Sequence, residues 1–234
     1  MGKKTLSIII PVYNEKNTIE EIIRRIKSVP LKDIEKEIIV IDDGSTDGTR
    51  EIIKKIPEIK CIFSETNRGK GGSVKLGFEN ATGDMLIIQD GDLEYDPSEY
   101  PKLIEPILSK QARVVYGTRF MSGCPHAVLK FHHYFANRFL TFLSNICSGI
   151  FLTDMETCYK VFHKDVYKAL TPHLTGKRFG IEPELTAKIA RLNVSIYEVG
   201  ISYYGRTHKD GKKIGWKDGV AAIWHIINYN FFSK

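Results

Sequence analysis

Met85-Leu86-Ile87-Ile88-Gln89-Asp90-Gly91-Asp92-Leu93-Glu94 is the stretch whose reading decides the fold. The four apolar residues predict a buried strand, extended over 84–89. Three acidic side chains then follow at alternate positions. Residues two apart on an extended backbone point the same way, so Asp90, Asp92 and Glu94 are expected to converge at the strand's carboxyl end. Like charges held together repel unless a cation neutralises them. Hard oxygen ligands in a half-open site suit Mg2+ or Mn2+ that also holds a diphosphate. The same stretch also reads as an acidic turn before a helix, because Asp96-Pro97-Ser98 is itself a turn and cap signal.

Strand and helix signals alternate on either side of it. Leu6 to Val12, Glu37 to Ile41, Lys60 to Phe63 and Arg113 to Tyr116 are β-branched-rich runs. Between them fall helical segments. Asn17-Thr18-Ile19-Glu20 resembles a capping box, and Ile19, Ile22, Ile23 and Ile26 share a helical face. Further helices are expected from the 42–49 loop through Ile56, after Asn67–Gly72, and over 98–110. Alternating strands and helices predict an α/β fold with a mostly parallel central sheet flanked by helices. Ligands of such sheets bind outside the carboxyl ends of the strands. Those ends carry Pro11–Glu15, Asp42–Gly48, Asn67–Gly72, Asp90–Glu94 and Gly117–Arg119, so every polar cluster falls on one rim.

The second half is less regular. Residues 131–146 show a helical apolar face of Phe131, Tyr134, Phe135, Phe139, Phe142, Leu143 and Ile146, with Arg138 assigned to the polar side. Strands are expected at 159–162 and 194–199, a helix at 183–192, a basic loop at 205–215 and a terminal helix at 216–232. No linker separates this half, so the 234 residues are read as one domain in three parts: 1–118, 119–215 and a C-terminal amphipathic helix over 216–234.

Hydrophobic residues at 42% and charged residues at 26% suit a globular protein with a real core. The net charge of +6 favours anionic partners: phosphorylated small molecules, an anionic membrane surface or nucleic acid. No base-stacking module accompanies that charge, so nucleic acid is not expected. The four cysteines, at 61, 124, 147 and 158, contain no C-x-x-C pair and read as free thiols in a reducing compartment. Met1-Gly2-Lys3-Lys4 leads straight into a strand-like run, so no secretory signal is expected. No stretch reaches the ~18 consecutive apolar residues of a membrane span.

With the rim clusters placed, the chain resembles the family 2 glycosyltransferases, of GT-A nucleotide-sugar fold, and within them the polyprenyl-phosphate sugar synthases of the dolichyl-phosphate mannose synthase type. The markers are Pro11-Val12-Tyr13-Asn14-Glu15, Asp42-Asp43-Gly44-Ser45-Thr46-Asp47, Asn67-Arg68-Gly69-Lys70-Gly71, Asp90-Gly91-Asp92, Gly117-Thr118-Arg119 and Arg206 with Lys213. The resemblance runs from Leu6 to about Trp216. It implies that Pro11, Tyr13, Glu15, Asp43, Lys70, Asp90, Gly91, Arg206 and Lys213 bind the nucleotide sugar, with Asp43 accepting from the base. It implies that Asp90, Asp92 and Glu94 hold the Mg2+ or Mn2+. Arg119, and more weakly Arg138, would bind the acceptor phosphate. Asp154, Asp92 and Arg119 would carry the catalysis.

Other readings stand beside these. Arg68 and Lys70 also read as solvated charges, Arg119 as a structural salt bridge, and Asp47 as a turn residue. The sequence lacks a P-loop pattern. Asp154-Met155-Glu156-Thr157-Cys158-Tyr159 departs from the family's Asp-x-x-Ser-Gly-Phe element. A phosphate acceptor, with a second pKa of ~6, is already mostly dianionic, so Asp154 reads either as a base or as a positioning group. Glu156 is the second choice for that base. Glu182 and Glu184 read as site residues or as acids of a helix's first turn.

The resemblance implies an inverting, metal-dependent hexosyltransferase. GDP-mannose is the first donor and UDP-glucose or UDP-N-acetylglucosamine the second, with a polyprenyl (dolichyl) phosphate as acceptor. A soluble saccharide or surface-polymer acceptor, and a nonenzymatic nucleotide-sugar-binding subunit, are the alternatives. Helix 131–146 and the tail, with Trp216, Trp224, Tyr229, Phe231 and Phe232 beside Lys212, Lys213, Lys217 and Lys234, suit a bilayer interface or ordinary packing. The expected location is cytoplasmic and peripheral on a membrane's cytoplasmic face, with a membrane-anchored partner subunit or an oligomer both open.

Overall fold

In the computed structural model, residues 2–121, 131–176, 180–205 and 216–233 are described. They contain a seven-stranded sheet ordered β3-β2-β1-β4-β6-β5-β7. Its strands are β1 (Lys4–Val12), β2 (Ile34–Asp42), β3 (Lys60–Phe63), β4 (Met85–Ile88), β5 (Val114–Thr118), β6 (Lys160–His163) and β7 (Ile196–Gly200). β1 pairs in parallel with β2 and β4, β2 with β3, and β5 with β7. β6 is antiparallel to both of its neighbours, β4 and β5.

Strand order reverses direction on either side of β1: the chain steps outward to β2 and β3, then crosses back to β4. This is the switch point at which open α/β sheets bind ligands. The antiparallel β6 enters the sheet from the rim where the parallel strands leave it. The loop before β6 therefore joins the carboxyl ends of the other strands.

The helices are α1 (Ile19–Ser28), α2 (Thr49–Ile53), α3 (Gly69–Asn80), α4 (Tyr100–Leu108), α5 (Phe131–Ser148), α6 (Lys164–Leu170), α7 (Ile181–Arg191) and α8 (Trp216–Phe231). The isoleucine face of α1 is fully buried, as its spacing predicts. Its start differs from the expected capping box. Thr18 is the N-cap, without a side-chain cap bond. The Glu15 carbonyl instead accepts from the N–H groups of Thr18 and Ile19 (3.1 and 3.0 Å). α2 stops at Ile53, short of the expected Ile56. The seven-residue α6 was not anticipated, being too short to establish a period.

α3 lies unusually close to the sheet. A Cβ on Gly77 would stand 2.2 Å from Ile9 Cγ2, so the bare backbone there sets the helix–strand distance.

α5 is built inside out. Leu140, Thr141 and Ser144 turn inward, while Phe131, Phe135, Phe142 and Ile146 are each exposed by 60% or more. Arg138 is exposed one turn from both Phe135 and Phe142, so it lies within the apolar stripe and not on an opposite polar side as expected. α8 packs against α5 and α7. It exposes Val220, Trp224 and Phe231 but buries Ala222, Ile226 and Tyr229. Tyr229 is thus no interfacial residue: its hydroxyl pairs with that of Thr175 at 2.8 Å and its ring stacks on His225. Among the described residues no helix is long and apolar enough to cross a membrane.

Gly77→Ala is expected to push α3 off β1 and lower stability by about 1–3 kcal/mol. Urea denaturation followed by circular dichroism measures this; an unchanged midpoint would mean that the sheet accommodates the methyl.

Candidate active site

The rim is first fixed by hydrogen bonds between loops. Asn14, at φ 53°, donates its N–H to Ser45 Oγ (2.9 Å), and its side-chain carbonyl accepts from Thr46 N (2.8 Å). Glu15 N donates to Thr49 Oγ1 at 2.9 Å, and Lys16 N to Asp47 at 3.2 Å. Asp47 is therefore a loop clamp, the structural role expected of it. Asp42 is buried and paired with Arg50 at 2.8 Å.

Asp43 ties the end of β2 to the start of α3. Its two oxygens accept from Arg68 N and Gly69 N at 2.8 and 2.7 Å. Burial pushes its carboxyl up in spite of those bonds. Tyr13 is exposed at the rim, while Pro11 and Glu15 are half-buried. The Glu15 carboxylate accepts the Thr18 hydroxyl at 2.9 Å.

Lys70 is not a solvated charge. Its ammonium bridges Asp90 and Glu182, at 2.9 Å to each. Burial alone would pull that ammonium down; the charges of Asp90 and Glu182 outweigh it and hold it well above the usual lysine range. Glu182, at the N-terminus of α7, thereby joins the site. Glu184 does not: it is fully buried and accepts from Thr175 N and Gly176 N.

The expected convergence of Asp90, Asp92 and Glu94 is not what the structure contains. β4 ends at Ile88, and the chain then turns, with Leu93 at φ 64°. Alternation holds only on an extended backbone, so the register is lost. Asp92 Oδ1 accepts Glu94 N at 3.1 Å, and the Glu94 carboxylate accepts the Tyr203 hydroxyl at 2.8 Å. Among the described residues no group of three His, Cys, Asp or Glu side chains is assembled as a metal cage. The donor set still fits a hard cation. A Mg2+-like ion is commonly held by one or two carboxylates, with waters and substrate phosphates completing its shell. Asp90 and Asp92 would suit that role, while one oxygen of Glu94 is engaged by Tyr203. Gly91 between them is buried beside Val12 and Glu15.

On the other side of the rim Arg119 follows β5. Its Nε and Nη2 donate to the two oxygens of Asp154 at 2.7 Å each, and its backbone N–H adds a third bond at 3.0 Å. Asp154 is completely buried and Arg119 only 8% exposed. Burial would lower the guanidinium's affinity for its proton; the charge of Asp154 overrides this and holds it well above the usual arginine value. The guanidinium also lies over the rings of Tyr203 (5.2 Å) and Phe120 (5.6 Å). Two contacts join this pair to α5. Phe120 meets Tyr134 edge to face at 5.4 Å, and Met155 N donates to Thr141 Oγ1 at 3.1 Å.

Several contributors escaped the sequence reading. Lys160 is 1% exposed in β6 and donates to the carbonyls of Met155 and Thr157. Burial pulls its ammonium down. Glu198 of β7 accepts from Thr153 N and Asp154 N. Gln89 accepts the hydroxyls of Tyr100 and Tyr159 at 2.7 Å each. A lysine or glutamate inside an apolar strand pattern was the available signal for the first two. Arg206 and Lys213 lie outside the described residues, as do Lys212, Lys234 and Cys124.

A family model, Glycosyl transferase family 2, matches residues 7–171, which carry most of this rim. The chain belongs to that family. It is 26% identical over 240 residues to UDP-N-acetylglucosamine–dolichyl-phosphate N-acetylglucosaminyltransferase of Methanococcus voltae, covering 93% of this chain and 94% of that protein. It is 27% identical over 215 residues to dolichol-phosphate mannosyltransferase of Pyrococcus furiosus, covering 89% of this chain and 60% of that one. The fold matches glucosyl-3-phosphoglycerate synthase of Mycobacterium tuberculosis. In that protein's complex with Mn2+, UDP and glucosyl-3-phosphoglycerate the TM-score is 0.70 at 21% identity, over 97% of this chain and 78% of that one. In its complex with Mg2+ and UDP the TM-score is 0.73 at 20% identity, over 99% and 81%. The sheet is thus that of a GT-A glycosyltransferase, and this family 2 chain is a glycosyltransferase enzyme.

Asp154→Asn is expected to leave Arg119 buried without its counter-charge and to cost about 3–5 kcal/mol of stability. Equilibrium denaturation of the variant against the parent checks this; a loss under about 1 kcal/mol would mean that water reaches the guanidinium.

Proposed function

We propose that this enzyme moves a hexose, with inversion, from a nucleoside-diphosphate sugar to the phosphate of a polyprenyl lipid at a membrane surface. One observation carries the reading: the Arg119–Asp154 pair is buried at the foot of α5, whose phenylalanines face outward. A guanidinium beside an exposed apolar helix matches an acceptor with an anionic head and a hydrocarbon tail. Arg138, within the same stripe, is a second phosphate ligand in this reading. The relatives' activities on dolichyl phosphate support it. The names of those relatives include UDP-N-acetylglucosamine for one and mannose transfer for the other, so that donor and GDP-mannose both stand, and the match over nearly the full length of the N-acetylglucosaminyltransferase adds weight to the former.

The roles follow from the chemistry. Pro11, Tyr13, Glu15 and Asp43 border the base and ribose, and Lys70 faces the diphosphate. Asp90 and Asp92 would hold Mg2+ or Mn2+, which neutralises charge on the departing diphosphate when bound. Arg119 has five N–H donors, of which two meet Asp154; the others orient the acceptor phosphate. That phosphate, with a second pKa near about 6, attacks the anomeric carbon without giving up a proton. The nucleoside diphosphate leaves from the opposite face. Asp154, locked on Arg119, then positions a cation and removes no proton. Arg206 and Lys213 keep the diphosphate role that the family resemblance gives them.

Asp92→Asn is expected to abolish Mn2+ binding measured by electron paramagnetic resonance, and to slow transfer of radiolabelled sugar into organic solvent by about 100-fold or more. Intact transfer would sink the metal assignment. Label that stays in the aqueous phase with every polyprenyl phosphate tried would favour a soluble acceptor.

The double variant Phe135→Ser, Phe142→Ser is expected to weaken flotation with anionic vesicles by at least about 10-fold, since each phenylalanine contributes about 1.5–3 kcal/mol when fully buried. Nucleotide binding should be untouched. Equal flotation of parent and variant would remove α5 from the membrane surface.

A further inference from the structure

Glu156 stands midway along the loop that enters β6 and belongs to neither ion pair of the site. Lys160 donates to the carbonyls on both sides of it, those of Met155 and Thr157. The peptide carrying Glu156 is therefore gripped from below at two points, and the direction of its side chain is set by the fold. Its Oε1 is buried and has no hydrogen-bond partner among the described residues. The residue as a whole is half-buried.

Its loop runs from Asp154, the partner of Arg119, into β6, which pairs with β4 just before Asp90. The charges acting on it are those of Glu182, Lys160, Arg119 and Asp154. Glu182 is joined through Lys70 to Asp90, on the diphosphate side. Arg119 and Asp154 form the acceptor-phosphate side. In a single displacement the sugar must occupy the space between leaving diphosphate and attacking phosphate. A buried carboxyl oxygen left unmatched by the protein is costly, and such groups are retained where a ligand or water completes them.

We propose that Glu156 is a sugar-reading residue, whose carboxyl hydrogen-bonds the hydroxyls of the donor hexose and so separates nucleotide sugar from bare nucleotide. This rests on the transferase reading above and deepens it. The ligand class follows from the chemistry. Phosphate would be repelled by this carboxyl and its neighbour Glu182, whereas the neutral hydroxyls of a hexose both donate and accept. Burial, with the Glu182 charge beside it, pushes the carboxyl up to about 7, so near neutral pH a protonated fraction can donate as well as accept.

The test is calorimetric titration of the parent protein, Glu156→Gln and Glu156→Ala with UDP, UDP-N-acetylglucosamine, GDP and GDP-mannose in the presence of Mn2+. Thermal unfolding establishes that each variant is folded. The parent is expected to prefer one nucleotide sugar over its bare nucleotide. Glu156→Ala should shrink that preference by about 10-fold while keeping the bare nucleotide's affinity, and Glu156→Gln, which still donates and accepts, should retain part of it. An unchanged preference in Glu156→Ala overturns the assignment alone. So does a parallel loss of nucleotide and nucleotide sugar, which a merely structural role would produce. A parent that binds neither nucleotide sugar overturns the transferase reading and this assignment together.

Discussion

Strand direction is the constraint on which this site depends. A parallel sheet delivers all its carboxyl ends to one rim, and six of the seven strands here run that way. Such an arrangement gathers β-strand exits but no strand entries. The reversed β6 supplies what the parallel strands lack. Its entry loop, Asp154–Tyr159, reaches the rim between the exits of β4 and β5. The carboxylate that holds Arg119 therefore arrives from the opposite chain direction, and both partners sit at the ends of adjacent strands. A parallel β6 would have put Asp154 on the far edge of the sheet.

That gathering concentrates charge, and burial makes unpaired charge expensive. The structure resolves this with two separate ionic groups. Lys70 is shared between Asp90 and Glu182, and Arg119 is committed to Asp154. The two differ in geometry and so in what they can do. Arg119 makes a planar, two-pronged pairing that holds it in a single orientation. Lys70 is a point charge on a flexible stem, hydrogen-bonded to Asp90 and paired with Glu182, without the two-pronged geometry that fixes Arg119. A fixed cation suits an acceptor that must be aimed; a movable one suits a diphosphate that must be released.

The repeating strand–helix pattern was legible because each parallel strand is buried on both faces and reads as an apolar run, as in Ile38–Ile41 and Met85–Ile88. Rim clusters were legible because turns collect at strand exits. The metal triplet misled because periodicity was extended past the strand's end: Leu93 at positive φ breaks the alternation and sends Glu94 to Tyr203. The cap of α1 misled for a similar reason, since the Glu15 backbone does the work that a side chain usually does. Partnerships far apart in sequence, such as Lys70 with Glu182 or Glu99 with Ser202, leave no local pattern. They depend on which elements the tertiary fold brings side by side.

α5 poses the remaining question, because an apolar stripe normally faces a core. Here the inward side carries Thr141 and Ser144, and Thr141 is used to fix the backbone at Met155, next to Asp154. Thr141 on the inward side thus braces the loop of the ion pair, Leu140 joins the core, and the phenylalanines lie outside. An ordinary amphipathic helix in this place would bury its apolar stripe against the Asp154 loop and deprive that backbone of its donor–acceptor partner. Inversion of the helix is therefore tied to construction of the Arg119–Asp154 pair. An exposed apolar surface of this kind is costly in water unless something covers it. In the proposed function that cover is a membrane whose polar edge is made of phosphates, and binding of the acceptor head is then tied to burial of the helix beside it.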